Sequence, residues 1–428
     1  MKPFRTALVA AAALALSACA GSGDPELIAP PGDLAASDKE RLTLPAAPGD
    51  LDEAVRGQND LGLQLFRAVS GKDPNVFLSP LSISTALSMT YGGAANDTAK
   101  AFETVLGSGL PSDRHHRAMN ELDRELASRG KGAKAADGKA FRLRSTNQLF
   151  SQKGFQLELP FLDTLAQEYG AGVRLLDFVE QPEPSREAIN EWVEERTEGR
   201  IPELLAQGTI DSLTRLVLVN AIYFNAAWKT AFEPSQTADG DFHTLAGPVK
   251  QVPFMKGALL PARAAQLNNG TELVELPYDG DELSMLIVMP PSGDLPALEA
   301  SLDAAMVEGF VAALKQEALD LSMPSFEART SADLSAALAE LGLAPAFSSG
   351  ADFTGMHKTA ELYISGVIHE AFVKVNEAGT EAAAATAVVI RTTSVPQSRA
   401  VVLDRPFFFA IRDNATGALV FVGRIGEP

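Results

Sequence analysis

Cysteine occurs once in the 428 residues, tryptophan twice and histidine five times. The lone Cys19 cannot close an internal disulfide, so stability outside the cytosol must come from packing. Basic residues are short as well. Against 55 Asp and Glu stand 36 Lys and Arg, a formal charge of −19. That deficit excludes nucleic acid as the main partner, because phosphate binding needs a net basic face. Catalytic signatures are missing too: there is no Gly-x-Ser-x-Gly elbow, no His-Glu-x-x-His helix, no Cys-x-x-Cys and no Gly-x-x-x-x-Gly-Lys phosphate loop. His115 and His116 are adjacent rather than four apart and lack a nearby third ligand, which fits a solvated helix face better than a metal site. Neither an enzyme nor a cofactor is expected, and a periplasmic hydrolase is only a third reading.

What is present starts at the N-terminus. Lys2 and Arg5 precede the apolar run Ala7 to Leu16, which is too short for an ordinary spanning helix and reads as a signal peptide over residues 1–18. Leu16-Ser17-Ala18-Cys19 resembles the bacterial lipobox, which implies lipidation at Cys19 and a membrane anchor in the cell envelope. Ala20 after the cysteine resembles the outer-membrane sorting pattern, with the protein facing the periplasm or the surface. Residues 19–50, with prolines at 25, 30, 31, 45 and 48 and no sustained apolar period, are expected as a flexible tether. One domain then follows over residues 51–428. At 46% hydrophobic the chain is ample for a packed core.

Helical periodicity covers Glu53 to Ser70, Pro80 to Tyr91, Ser112 to Arg129, Pro160 to Tyr169, Ser185 to Thr197, Leu295 to Leu314 and Ser331 to Leu341. Strand-like runs are Leu216 to Phe224, Leu283 to Met289, Phe372 to Val375, Phe407 to Ile411 and Leu419 to Val422. Early helices followed by mostly antiparallel sheet predict an α+β fold.

One segment is at odds with its composition. Glu377-Ala378-Gly379-Thr380-Glu381 leads into four alanines, Ala382 to Ala385, and then Thr386, Val388, Val389 and Ile390. Alanine favours helix, whereas the branched residues favour strand. At strand period, one face carries Thr380, Ala382, Ala384, Thr386, Val388 and Ile390, uncharged and mostly small. The other carries Glu381, Ala383, Ala385, Ala387 and Val389, its one carboxylate at the end expected nearest solvent. The polar, turn-like stretch after Ile390 reads as an exposed loop that a protease can cut.

This hinge resembles that of the inhibitory serpins. Further motifs fit the same family in order: Asn75 to Leu87 with Gly92-Gly-Ala94, Ile189 to Ile201, Leu218 to Phe224 leading to Trp228, and Val401 to Ile411. Asn225-Ala226-Ala227 departs from the more usual Lys-Gly pair before the tryptophan. The resemblance implies helices on a large central, mostly antiparallel sheet with smaller sheets, and a reactive-centre loop at about 377–400. It further implies suicide inhibition of serine proteases, in which the cut loop inserts as a new strand while the protease is still acylated. Serpin insertion is itself a known instance of strand addition.

By the same resemblance Ser79, Ser82, Asn220 and His369 form the cluster that controls sheet opening, and Trp228 marks where the loop first enters. From the residues alone, Ser79 reads equally as a helix cap before Pro80, His369 as a core histidine and Trp228 as core bulk. Counting seventeen residues from Glu377 by the family rule puts the scissile bond at Thr393-Ser394, which suits an elastase-like or subtilisin-like pocket. Arg391 and Arg399 are competing trypsin-like sites. The basic cluster Arg129, Lys131, Lys134, Lys139, Arg142 and Arg144 is a candidate polyanion site, or else a charged, flexible loop. A monomer is expected. A serpin-fold protein that binds, or is cleaved without trapping, is the alternative.

Overall fold

The computed structural model describes residues 28–71, 73–358, 362–381 and 398–428. Cys19 with the expected signal peptide, Ala382 to Ala385, Arg391, Thr393 and Ser394 lie outside the described residues. Two sheets organise the rest. The first runs, in spatial order, β1 (Asp33–Ala35), β4 (Val173–Leu176), β3 (Arg142–Gln152), β5 (Leu216–Ala227), β13 (Gly379–Thr380), β12 (Gly366–Asn376) and β11 (Phe326–Asp333). The second runs β14 (Arg399–Val402), β10 (Lys315–Pro324), β7 (Val249–Gln266), β8 (Glu272–Pro277), β9 (Leu283–Met289), β15 (Phe407–Asp413), β16 (Leu419–Ile425) and β2 (Asn75–Leu78), with β6 (Ala238–His243) paired to β7. Helices α1 (Asp50–Ser70), α2 (Pro80–Tyr91), α3 (Asn96–Leu106), α4 (Ser112–Ala127), α5 (Leu159–Thr164, continued by a π-turn over Leu165–Tyr169) and α6 (Pro182–Arg196) precede or interrupt the first sheet. Later come α7 (Leu295–Ser301), α8 (Ala304–Ala313) and α9 (Ser335–Leu338).

Strand β5 explains the architecture best. Its residues from Leu216 to Ala226 are all buried, as a strand covered on both faces must be. Ile222, Phe224 and Ala226 point into the core shared with the second sheet. Val217, Val219 and Ala221 point the other way, against Ile189, Trp192 and Val193 of α6. Helix α6 therefore lies across the outer face of the first sheet, and any strand added beside β5 must pass beneath it.

Several expectations need correction. Ser331 to Asp333 end a strand, and the helix begins only at Ser335; the 295–314 helix breaks where the Asp303 side chain accepts the Met306 N–H at 2.7 Å and starts α8 afresh. His115 and His116 are not solvated. They are 2% and 4% exposed: His115 lies between the Ser88 and Ser108 hydroxyls at 2.8 and 3.0 Å, and His116 lies 2.7 Å from the Tyr169 hydroxyl.

Residues 28–50, expected to be part of a flexible tether, are instead laid along the body. β1 pairs antiparallel with β4, and Arg41 reaches Asn120 and Asp123. The basic cluster is mostly consumed in ion pairs: Arg129 with Asp413, Arg142 with Asp137 and Glu198, Arg144 with Glu198, and Lys139 more loosely with Asp137. Lys131 and Lys134 are exposed.

Candidate functional site

Strands β5 and β12 pair in parallel from Val217↔Gly366 to Ile222↔Ala371. Beyond that seam they part, and β13 stands between them, antiparallel to both: Thr380 opposite Ala226 and Val375, Gly379 opposite Ala227 and Asn376. Two residues of the expected hinge are thus seated in the first sheet. Only glycine fits at 379, since a Cβ there would stand 2.2 Å from the Ala226 carbonyl oxygen.

The seat is built from side chains around one tryptophan. Trp228 stacks on Tyr278, ring centroids 4.7 Å apart, and its indole N–H donates to the Asn376 carbonyl at 2.9 Å. Its backbone N–H donates to the Ala378 carbonyl. The Tyr278 hydroxyl lies 2.7 Å from that of Thr380, which is 1% exposed. The Thr237 hydroxyl donates to the Glu377 carboxylate at 2.6 Å.

Glu381, expected near solvent, is instead 4% exposed beneath the guanidinium of Arg200. Burial pushes its carboxyl above the usual range, although Tyr223 and Arg200 pull it down. Arg200 in turn lies over Phe372.

Below the seat, the other expected residues meet across the seam. Ser79 donates its backbone N–H to His369 Nε2 at 3.2 Å, so the ring proton sits on Nδ1 and is given to Asn220 Oδ1 at 2.6 Å. Asn220 Nδ2 donates to Asn147 Oδ1 at 2.5 Å, and the Ser82 hydroxyl donates to the same oxygen at 3.3 Å. The Ser79 hydroxyl donates to the Val420 carbonyl at 2.8 Å and caps α2 by accepting the Ser82 N–H at 3.2 Å. His369 and Asn220 therefore bond β12 to β5 by side chains as well as backbone. Sequence reasoning missed Asn147, Tyr278, Tyr223 and Arg200's contact with the hinge, all joined to the site through long-range pairing.

His369, His115 and His116 are held neutral by burial, at about 3, 3 and 4 against an ordinary 6.5. Their folded-state values are depressed, so the stability they allow is complete above pH 6.5. It falls as pH drops from 6.5 towards 4, at up to about 1.4 kcal/mol per pH unit for each histidine. Urea midpoints at pH 7.5, 6 and 5 should decline steeply in that order. A His369→Gln variant should show a shallower slope.

At the far end of the loop, Arg399 opens β14, which pairs in parallel with β10. Its guanidinium donates to Glu272 at 2.6 Å and to Glu317 at 2.7 and 3.1 Å. The Arg399 side chain is thus engaged by two carboxylates at the edge of the second sheet.

Comparison with known proteins agrees with this arrangement. The family model for serpin (serine protease inhibitor) matches residues 56–428. The leukocyte elastase inhibitor of Sus scrofa is 37% identical over 389 residues, covering 88% of this chain and all of the relative. Antithrombin-III of Mus musculus is 38% identical over 367 residues, covering 83% of this chain and 76% of that one. Among solved structures, the thermophilic serpin tengpin in its native state superposes with a TM-score of 0.80 at 26% identity, covering 92% of this chain and 97% of its own. Thyroxine-binding globulin in complex with thyroxine gives 0.77 at 27%, covering 87% and 99%. With two sheets, a loop hinge seated between β5 and β12, and a match over most of its length, the chain belongs to the serpin family.

Proposed function

We propose that this protein is a suicide inhibitor of serine proteases, trapping its target by inserting the cleaved loop between β5 and β12. The observation that carries this reading is the two-residue strand β13, whose place between β5 and β12 and antiparallel direction fit an insertion along the same path. Continuing its register one residue at a time sets Thr386 opposite both Asn220 and His369, Val389 opposite Gly366, and Ile390 opposite Leu216. Leu216 and Gly366 are the first residues of β5 and β12. On that register Gly379 to Ile390 would fill the slot, which favours a scissile bond beyond Ile390 and before Arg399, itself bonded to Glu272 and Glu317. Thr393-Ser394 falls in that window, and so does Arg391.

The same register explains the alanines. Positions 381, 383, 385, 387 and 389 would lie on the face of Val217, Val219 and Ala221, under α6, where bulk would collide with Trp192 and Ile189. Insertion also replaces a parallel seam with two antiparallel pairings, the slightly more stable arrangement per residue.

The test is incubation with elastase-like, subtilisin-like and trypsin-like proteases. An SDS-stable covalent complex supports trapping, whereas clean cleavage without complex supports the alternative of a non-inhibitory binder or substrate. Mass spectrometry of the released C-terminal peptide fixes the bond: a fragment starting at Ser394 is expected, and one starting at Thr392 would move the specificity to Arg391 and trypsin-like enzymes.

We further propose export with lipid anchoring at Cys19, the outer membrane being the favoured location. Cys19→Ala should move the protein from the membrane fraction to the soluble one with inhibition intact.

A further inference from the structure

Asn225 opens the stretch that departs from the more usual Lys-Gly pair before Trp228, and neither the seat around the tryptophan nor the polar cluster below it uses this side chain. It is nevertheless 3% exposed, and its amide is bonded at both ends. Oδ1 accepts the backbone N–H of Ala136 at 3.0 Å, which fixes the orientation of the amide, and Nδ2 donates to the Tyr223 hydroxyl at 3.2 Å. That hydroxyl donates to Glu198 at 2.9 Å and is one of the groups that hold down the carboxyl of Glu381.

Ala136 belongs to the loop of residues 128–141 that joins α4 to β3. β3 begins with Arg142 opposite Asn225, so β5 runs on past it by two residues, Ala226 and Ala227, and these are the partners of Thr380 and Gly379. The loop takes over the flank that β3 leaves. The Ala227 N–H donates to the Lys134 carbonyl at 3.0 Å, and the Lys134 N–H donates to Asp279 at 2.8 Å. Ala133, Ala135 and Ala136 are buried there. Ala136 reaches the hinge itself, since a Cβ on Gly379 would stand 3.1 Å from its own. A lysine at 225 would offer no acceptor to the Ala136 N–H, so this hold on the loop belongs to the asparagine.

We propose that Asn225 is a positioning residue for trapping: by holding the 128–141 loop down on Gly379, it keeps β13 in the sheet until the bait is cut. Insertion then races against hydrolysis of the ester that joins the cut loop to the protease serine, in which water takes the place of the serine oxygen. A seated hinge extends β13 at once. A hinge that has left the seat must first return, and the protease is freed in the meantime. This rests on the insertion reading above.

The test uses the full chain and a protease that the wild type traps. Two quantities are read: the ratio of cleaved, released inhibitor to covalent complex, and the rise in unfolding temperature on cutting. Asn225→Ala should raise the ratio about fivefold, the factor by which one hydrogen bond changes two competing rates. The rise in unfolding temperature should stay as in wild type, because residues 381–390 still pair once inserted. Asp279→Ala, which loosens the same loop at its surface, should raise the ratio by a smaller factor, and Asp279→Asn, which keeps an oxygen for the Lys134 N–H, should restore it. This second pair decides the matter if Asn225→Ala folds poorly. Lys131→Ala, on the exposed part of the loop, should change neither quantity. A wild-type ratio in both Asn225→Ala and Asp279→Ala, with only their unfolding temperatures lowered, would overturn the positioning role alone. A wild type that yields neither covalent complex nor a heat-stabilised cut form overturns the insertion reading, and the role of Asn225 with it.

Discussion

Cutting the loop between residues 391 and 397 with a protease that is not trapped should raise the unfolding temperature by on the order of 20 °C. The physical reason is the parallel seam. In the uncut chain, β5 and β12 share one ladder over six residue pairs and are spread apart above it by only Gly379 and Thr380. Once the C-terminal end is free, residues up to Ile390 could pair on both sides, with Val388 and Ile390 buried in the inserted strand. Their burial alone contributes roughly 1.5–3 kcal/mol each as an upper figure. The opposing term is loss of the His369 to Asn220 bond, which Thr386 must break by coming between them. A hydroxyl at 386 can take up both freed partners, so Thr386→Val should cut the gain by leaving two buried polar groups unpaired, at about 1–3 kcal/mol each. Calorimetry of intact and cut protein measures both numbers. Equal unfolding temperatures would contradict insertion.

Thr380→Arg should abolish trapping, lowering the yield of covalent complex by about 100-fold while cleavage of the loop continues. Thr380 is almost fully enclosed, with its hydroxyl against that of Tyr278 and its backbone opposite Ala226 and Val375. A guanidinium there would be an unpaired buried charge, which the hinge avoids by leaving the seat. Because the seat is already occupied before cleavage, the variant should also differ from wild type while uncut: the Trp228 environment changes as Ala378 and Asn376 withdraw. Thr380→Ala, which loses one hydroxyl contact worth about 1 kcal/mol, should keep most of the activity. Counting protease equivalents inhibited per molecule separates the two. Undiminished complex formation by Thr380→Arg would falsify the seat's role in trapping.

How far the sequence reveals this site depends on the range of the contacts. Pro80 to Tyr91 is a helix with the expected limits, because Ser79, Pro80 and the apolar period all act within one turn. β5 was likewise visible as a β-branched run, though it extends to Ala227. β3 was not visible. Its Arg142, Arg144, Asn147 and Gln148 look like loop until Glu198 pairs with both arginines, Asn220 bonds Asn147 and the Gly172 carbonyl accepts from Gln148. Buried His115 and His116 misled for the same reason, since Ser88, Ser108 and Tyr169 come from elsewhere in the chain. Strand alternation gives Glu381 a face but cannot say that Arg200 covers it, so the carboxylate expected near solvent is buried.

The twelve positions of β5 between its ends make the slot a track of fixed length, about 36 Å at strand rise. Under the proposed insertion, whatever remains bound at the cut end would be carried from the Trp228 pole to the pole where Leu213, Arg215 and Tyr363 lie. Leu213 is 65% exposed there, and its carbonyl is 3.5 Å from the Tyr363 hydroxyl. On the proposed mechanism the bait loop would decide which protease is taken aboard, and this distant patch would be the surface it meets on arrival. The proposed mechanism would thus put selection and destruction on opposite poles of the molecule, so that changes at one could leave the other intact.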